Sequence, residues 1–81
     1  MFSMDGDLLM DMPYLAKSGY INTGEEVKTV QLLLNAMHYG GLDADGIFGS
    51  ATNQAVKKFQ RSRGLDRDGI VGPDTWRYLL K

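Results

Sequence analysis

Ten carboxylates, one histidine and four serines are the side chains in this 81-residue chain that could build a catalytic site, and their spacing builds none. His38 has no second histidine or cysteine with which to complete a zinc site, and the zinc-hydrolase pattern of two histidines on one helix is missing. No glycine loop followed by Lys-Ser or Lys-Thr occurs to cradle a phosphate, so nucleotide hydrolysis is unsupported. Two runs come nearer to a site: Asp43-Ala44-Asp45-Gly46 and Asp66-Arg67-Asp68-Gly69. Aligned on the glycine of a calcium-binding helix-loop-helix, they put Gly41 or Gly64 at the first ligand and Thr52 or Thr75 where a bidentate Glu belongs. That is too few acids for calcium, and the carboxylates are expected to bond N–H groups of their own turns. The sequence therefore predicts no catalytic residue, no metal and no cofactor.

Those acidic runs belong to a longer repeat. Residues 41–52 return 23 positions later as 64–75, identical at eight of twelve sites. Within each copy Asp-Gly turns the chain, an isoleucine follows, and a helix begins. Pro73 marks that beginning, because proline's missing N–H is not needed at a first helical position. Ser50 is its counterpart, with Gly49 and Gly72 as N-caps. Ile47 and Ile70 are expected to fold back onto the first turns. Thr52 and Thr75 fall on buried stripes and are expected to bond backbone of the preceding loop. Asp45, Gly46, Gly49 and Thr52, with Asp68, Gly69, Gly72 and Thr75, thus read as a loop scaffold.

Three helices position these loops. Thr23-Gly24-Glu25-Glu26 has the form of a capping box, and Val27, Val30, Leu33, Leu34 and Met37 then make one apolar stripe ending near Tyr39. Lys28, Gln31, Asn35 and His38 form the opposite, polar face, and Leu32 and Tyr39 lie beside it as a second contact surface. The second helix runs from about Ser50 to Arg63, with Ala51, Ala55, Val56 and Phe59 inward and Asn53, Gln54, Lys57, Lys58 and Arg61 outward. Gly64-Leu65 closes it with a left-handed glycine and an apolar partner. A short third helix from Pro73 carries Trp76, Leu79 and Leu80 inward. The expected fold is all-α, a small three-helix bundle with two similar Asp-Gly-Ile loops.

Residues 23–81 are read as that domain, and residues 1–22, with four methionines and no sustained period, as a partly ordered leader or linker. The start lacks the positive region and continuous apolar run of a signal peptide, and no membrane span is visible. A net charge of −1 argues against non-specific nucleic-acid binding. Five of the nine bases nevertheless lie within residues 57–67.

Several motifs in order, Gly24-Glu25-Glu26-Val27-Lys28-Thr29-Val30-Gln31-Leu32-Leu33-Leu34-Asn35, Asp45-Gly46-Ile47-Phe48-Gly49 with Thr52, Ala55-Val56-Lys57-Lys58-Phe59-Gln60, and Gly69-Ile70-Val71-Gly72-Pro73-Asp74-Thr75-Trp76, resemble the peptidoglycan-binding domain family of bacterial and phage cell-wall hydrolases. The chain departs from the family at Met37-His38-Tyr39-Gly40-Gly41, where Leu-Gly is common. The resemblance implies a non-catalytic module that holds a tethered or associated hydrolase against peptidoglycan by its stem peptides, at the cell wall or outside the cell. Stem peptides carry carboxylates and amides, which suit amide and cationic side chains flanked by an aromatic. Contact is accordingly expected at Asn53, Gln54, Lys57, Arg61 and Tyr39. The other reading is a protein interaction or self-association module using Leu32 and Tyr39.

Overall fold

A computed structural model of the chain describes residues 12–81. Three helices lie among them: α1, Glu25–Ala36; α2, Ser50–Ser62; and α3, Pro73–Leu79. Extended pairing among the described residues is confined to isolated bridges, so the small all-α architecture stands as expected. Of the 1–22 segment, residues 1–11 lie outside the described residues.

The inward stripe of α1 buries Val27, Val30 and Leu34, that of α2 Ala55, Val56 and Phe59, and that of α3 Trp76 and Leu79. The spaces between the helices are closed by Phe48 and Val71, one from each repeat loop, and by Leu15 from the segment before α1. Leu15 is also held by backbone, its N–H donating to Val71 O at 3.1 Å and its carbonyl accepting from Val71 N–H at 2.7 Å. The Trp76 indole N–H donates to the Pro13 carbonyl at 3.0 Å, pinning the same segment across α3. Full burial of a leucine is worth about 2 kcal/mol, so residues 13–16 are part of the packing that keeps α3 in place.

The exits of α1 and α2 follow one rule. After α2, Leu65 N–H bonds Gln60 O at 2.9 Å and Gly64 N–H bonds Arg61 O at 3.2 Å, which returns two free carbonyls to hydrogen bonding. Gly64 has φ 72°, as that turn requires. After α1 the same pair of bonds runs from Tyr39 to Leu34 and from His38 to Asn35, and His38 takes the left-handed position with φ 67°. Helix α1 therefore ends at Ala36, short of Tyr39, and the departure at Met37-His38-Tyr39 keeps the turn but builds it with a non-glycine residue.

Five local expectations are corrected. Gly24, not Thr23, caps α1, without a side-chain cap bond, because Thr23 is extended and bridged to Ile47 while Gly24 N–H donates to Gly46 O at 2.9 Å. Gln31 belongs to the buried face of α1 rather than to its polar face. Ile47 does not fold back: it is 57% exposed, and Phe48 enters the core instead, as the alternation of an extended segment demands. Ala51 is exposed at the first turn of α2. Leu80 follows the last residue of α3 and is exposed, since the short helix ends before its stripe returns to the core.

Candidate ligand-binding site

The surface is shaped by the two repeat loops, and a glutamine side chain holds each. Gln31 Oε1 accepts from Gly46 N–H at 2.9 Å, and its Nε2 donates toward Ile47 O at 2.9 Å, Thr52 Oγ1 at 3.0 Å and Asp45 Oδ1 at 3.1 Å. Gln60 repeats this with Gly69 N–H, Ile70 O, Thr75 Oγ1 and Asp68 Oδ1, at 3.0, 2.9, 3.1 and 3.1 Å. Asp45 and Asp68 each also accept from the N–H two residues on, at 2.9 Å, closing the turn. The threonines therefore bond a glutamine that spans from the preceding helix, and not loop backbone as expected. Each helix thereby clamps the following loop and the first turn of the following helix.

These bonds lower the Asp45 pKa below the usual carboxylate range. The Ile47 N–H is the main cause, Gln31 the next, and desolvation opposes both. No cluster of three His, Cys, Asp or Glu side chains suited to a metal occurs among the described residues.

The clamps leave two equivalent grooves. One is lined by Gln31, Leu42, Asp43, Asp45, Ile47, Gly49, Ser50, Ala51 and Thr52. The other is lined by their counterparts Gln60, Leu65, Asp66, Asp68, Ile70, Gly72, Pro73, Asp74 and Thr75, and by Tyr14 in addition.

The side chains expected to bind ligand are only partly brought together. Lys57 and Arg61 line one shallow depression with Lys58 and Arg67, and no carboxylate is among its lining residues. Asn53 faces the second loop: its Oδ1 occupies the space a β-carbon on Gly69 would fill, and Lys57 Cε lies 3.3 Å from the same point. Gln54 is exposed on α2 but lines neither this depression nor the one holding Tyr39. Tyr39 lines a separate depression with Asn35, His38, Gly40, Gly41 and Lys58, so Lys58 is the residue the two share. The Tyr39 ring meets Phe59 edge-on, centroids 5.6 Å apart, and is half-buried. Its phenol is held below the usual pKa chiefly by the Ser62 hydroxyl, against desolvation and with added help from Arg63. Leu32, its proposed companion, remains exposed.

Sequence reasoning missed Lys58 and Arg67 as lining residues and both clamp glutamines. A signal for Gln31 was present: it stands four residues after Val27 and three before Leu34, within the buried stripe. Gln60 likewise stands four residues after Val56.

A family described as "Putative peptidoglycan binding domain" matches residues 23–79. An uncharacterized protein in the bpoA1 3' region of Kitasatospora aureofaciens is 51% identical over 59 residues, covering 72% of this chain and 50% of the relative. The N-acetylmuramoyl-L-alanine amidase CwlM of Mycobacterium tuberculosis is 46% identical over 57 residues, 69% of this chain and 14% of the amidase. Among solved structures, the SleB N-terminal domain superposes with a TM-score of 0.71 at 34% identity, covering 73% of this chain and 81% of that one. The chain thus spans half or less of the curated relatives named here.

Proposed function

The chain belongs to the peptidoglycan-binding domain family, and from that membership we propose that it binds peptidoglycan stem peptides without cleaving them and so keeps a hydrolase on the wall. The observation that carries this reading is the depression formed by Lys57, Lys58, Arg61 and Arg67, four cations with no acid lining it. A stem-peptide carboxylate is the complementary charge, and arginine can hold it with two parallel bonds. Asn53, packed over the second loop, supplies an amide at one edge, and Tyr39 supplies an aromatic beyond Lys58. Asp45, Gly46, Gly49, Thr52 and their counterparts Asp68, Gly69, Gly72 and Thr75 act as scaffold and take no part in this stem-peptide contact.

So open a surface gives weak monovalent affinity, because little of it offsets the freedom lost on association. Tethering to a hydrolase, or the many sites of a wall, raises the effective affinity without new contacts. The relatives' names support that arrangement, CwlM being an amidase of which a domain like this one is a small part. The place of action is then the cell wall or the extracellular side.

Pull-down of the purified chain on insoluble sacculi of differing stem peptides, with cellulose as control, tests the reading. Retention is expected on sacculi and is expected to vary with the stem peptide. Lys57→Glu/Arg61→Glu should abolish it while the thermal melt is unchanged. Equal retention by the folded double variant would remove this site.

A further inference from the structure

We propose that Tyr14 and Tyr20, together with the groove before α3, form a second subsite that takes a pyranose ring of a peptide-free, β-linked amino-sugar strand. The proposal rests on the peptidoglycan reading only for the source of that glycan, and it concerns a surface separate from the α2 cations.

The two rings are stacked, centroids 5.6 Å apart and planes 24° from parallel, yet each stays about half exposed, at 46% and 50%. Single exposed aromatics are ordinary, but a stacked pair held rigidly in water is a prepared apolar surface. Its rigidity comes from backbone. Ile21 N–H donates to Tyr14 O at 3.2 Å, Ala16 N–H to Ile21 O at 3.1 Å, and the intervening Leu15 is locked to Val71 in the core. Tyr14 also packs on Gly72, where its ring stands 3.0 Å from the position a β-carbon would take. Little ordering would therefore be needed on binding.

Beside this platform the groove presents Asp66, Asp68 and Asp74. Asp68 Oδ1 is already engaged by Gln60 and Ile70, which leaves the other oxygen of that carboxylate as an acceptor. A pyranose matches both features: its C–H face is apolar and flat, and its rim of hydroxyls and amide N–H groups donates to carboxylates. A carboxylate-bearing peptide would be repelled by the same acids. The first groove provides an internal comparison, since it repeats the lining but has Ser50 and Ala51 in place of Pro73 and Asp74 and no aromatic in place of Tyr14. Both tyrosines precede the 23–79 region matched by the family.

The test is a titration of the isotope-labelled 81-residue chain with chitohexaose, followed by amide shifts. Saturable shifts are expected at Tyr14, Tyr20, Asp66 and Gly72. Tyr20→Leu, which keeps an apolar side chain, should weaken binding about fivefold to tenfold, and Tyr20→Phe should restore it. Lys57→Glu/Arg61→Glu should leave these shifts intact even though it abolishes retention on sacculi, which separates this subsite from the α2 site. Absent shifts, shifts confined to α2, or equal affinity in Tyr20→Leu would overturn the proposal. So would a concentration-dependent mass that disappears in Tyr20→Leu while chitohexaose causes no shift, because the pair would then contact a second copy of the chain.

Discussion

Gln31 Nε2 lies 3.0 Å from Thr52 Oγ1, joining the middle of α1 to the first turn of α2 across 21 residues of chain. The same amide holds Gly46 N–H and the Ile47 carbonyl, so one side chain satisfies the loop's inward polar groups. Every buried side-chain nitrogen and oxygen among the described residues has a partner, and the two glutamines are a large part of the reason.

Gln31→Leu should therefore destabilise the domain by about 2–4 kcal/mol, because Gly46 N–H and the Thr52 hydroxyl lose their partner inside the protein. Gln60→Leu should behave alike through Gly69 and Thr75. Urea unfolding measures both. The double variant Gln31→Leu/Thr52→Val should cost less than the sum of its parts, as expected of groups that share a bond.

His38→Gly should stabilise the chain by about 1 kcal/mol, since φ 67° strains a residue with a β-carbon and suits glycine. Gly64→Ala should lose about as much at the equivalent turn, where φ is 72°. The denaturant midpoint is the readout, and movement of the two variants in the same direction would contradict the equivalence of the turns.

Acid should weaken the fold through Asp45. Its folded pKa is depressed by the Ile47 and Gln31 donors, so its contribution is fully present above the unfolded value of about 3.9 and is lost as pH falls through the lower folded value. Asp45→Asn keeps an acceptor oxygen but cannot titrate. The variant should melt below the parent at neutral pH, and the gap between their melting temperatures should shrink as pH is lowered from about 5 toward 2.

Retention on sacculi should fall steeply between about 0.05 and 0.5 M salt, because the cations of the α2 depression are exposed to screening. Arg67→Ala should weaken retention severalfold with no change in melting temperature. A salt-independent interaction would exclude a charge-led contact at Lys57, Lys58, Arg61 and Arg67.

Periodicity alone located the helices, because Val27, Val30 and Leu34, then Val56 and Phe59, recur at the helical spacing whatever they pack against. The repeat was legible for a similar reason: Asp-Gly turns and Pro73 at a helix start are local chemistry, and Gly49, Gly72 and the cap at Gly64 followed from it. Tertiary contact decided the rest. Gln31 and Gln60 stand 14 and 8 residues before their aspartates, so the clamp has no common spacing in sequence and exists only once each helix lies against its loop. Thr23 carries the right residue type for a cap, but pairing with the Ile47 loop holds it extended and passes that position to Gly24. Arg67, outside α2 in sequence, reaches the cationic depression because the second loop folds back beside Lys57. Tyr14 and Tyr20 show no period at all, and they became a platform only when Leu15 entered the core between them and the chain turned back at Ile21. Local steric and hydrogen-bonding rules act within one turn of chain, whereas a surface that can hold a ligand is assembled from segments that meet only after the core has formed.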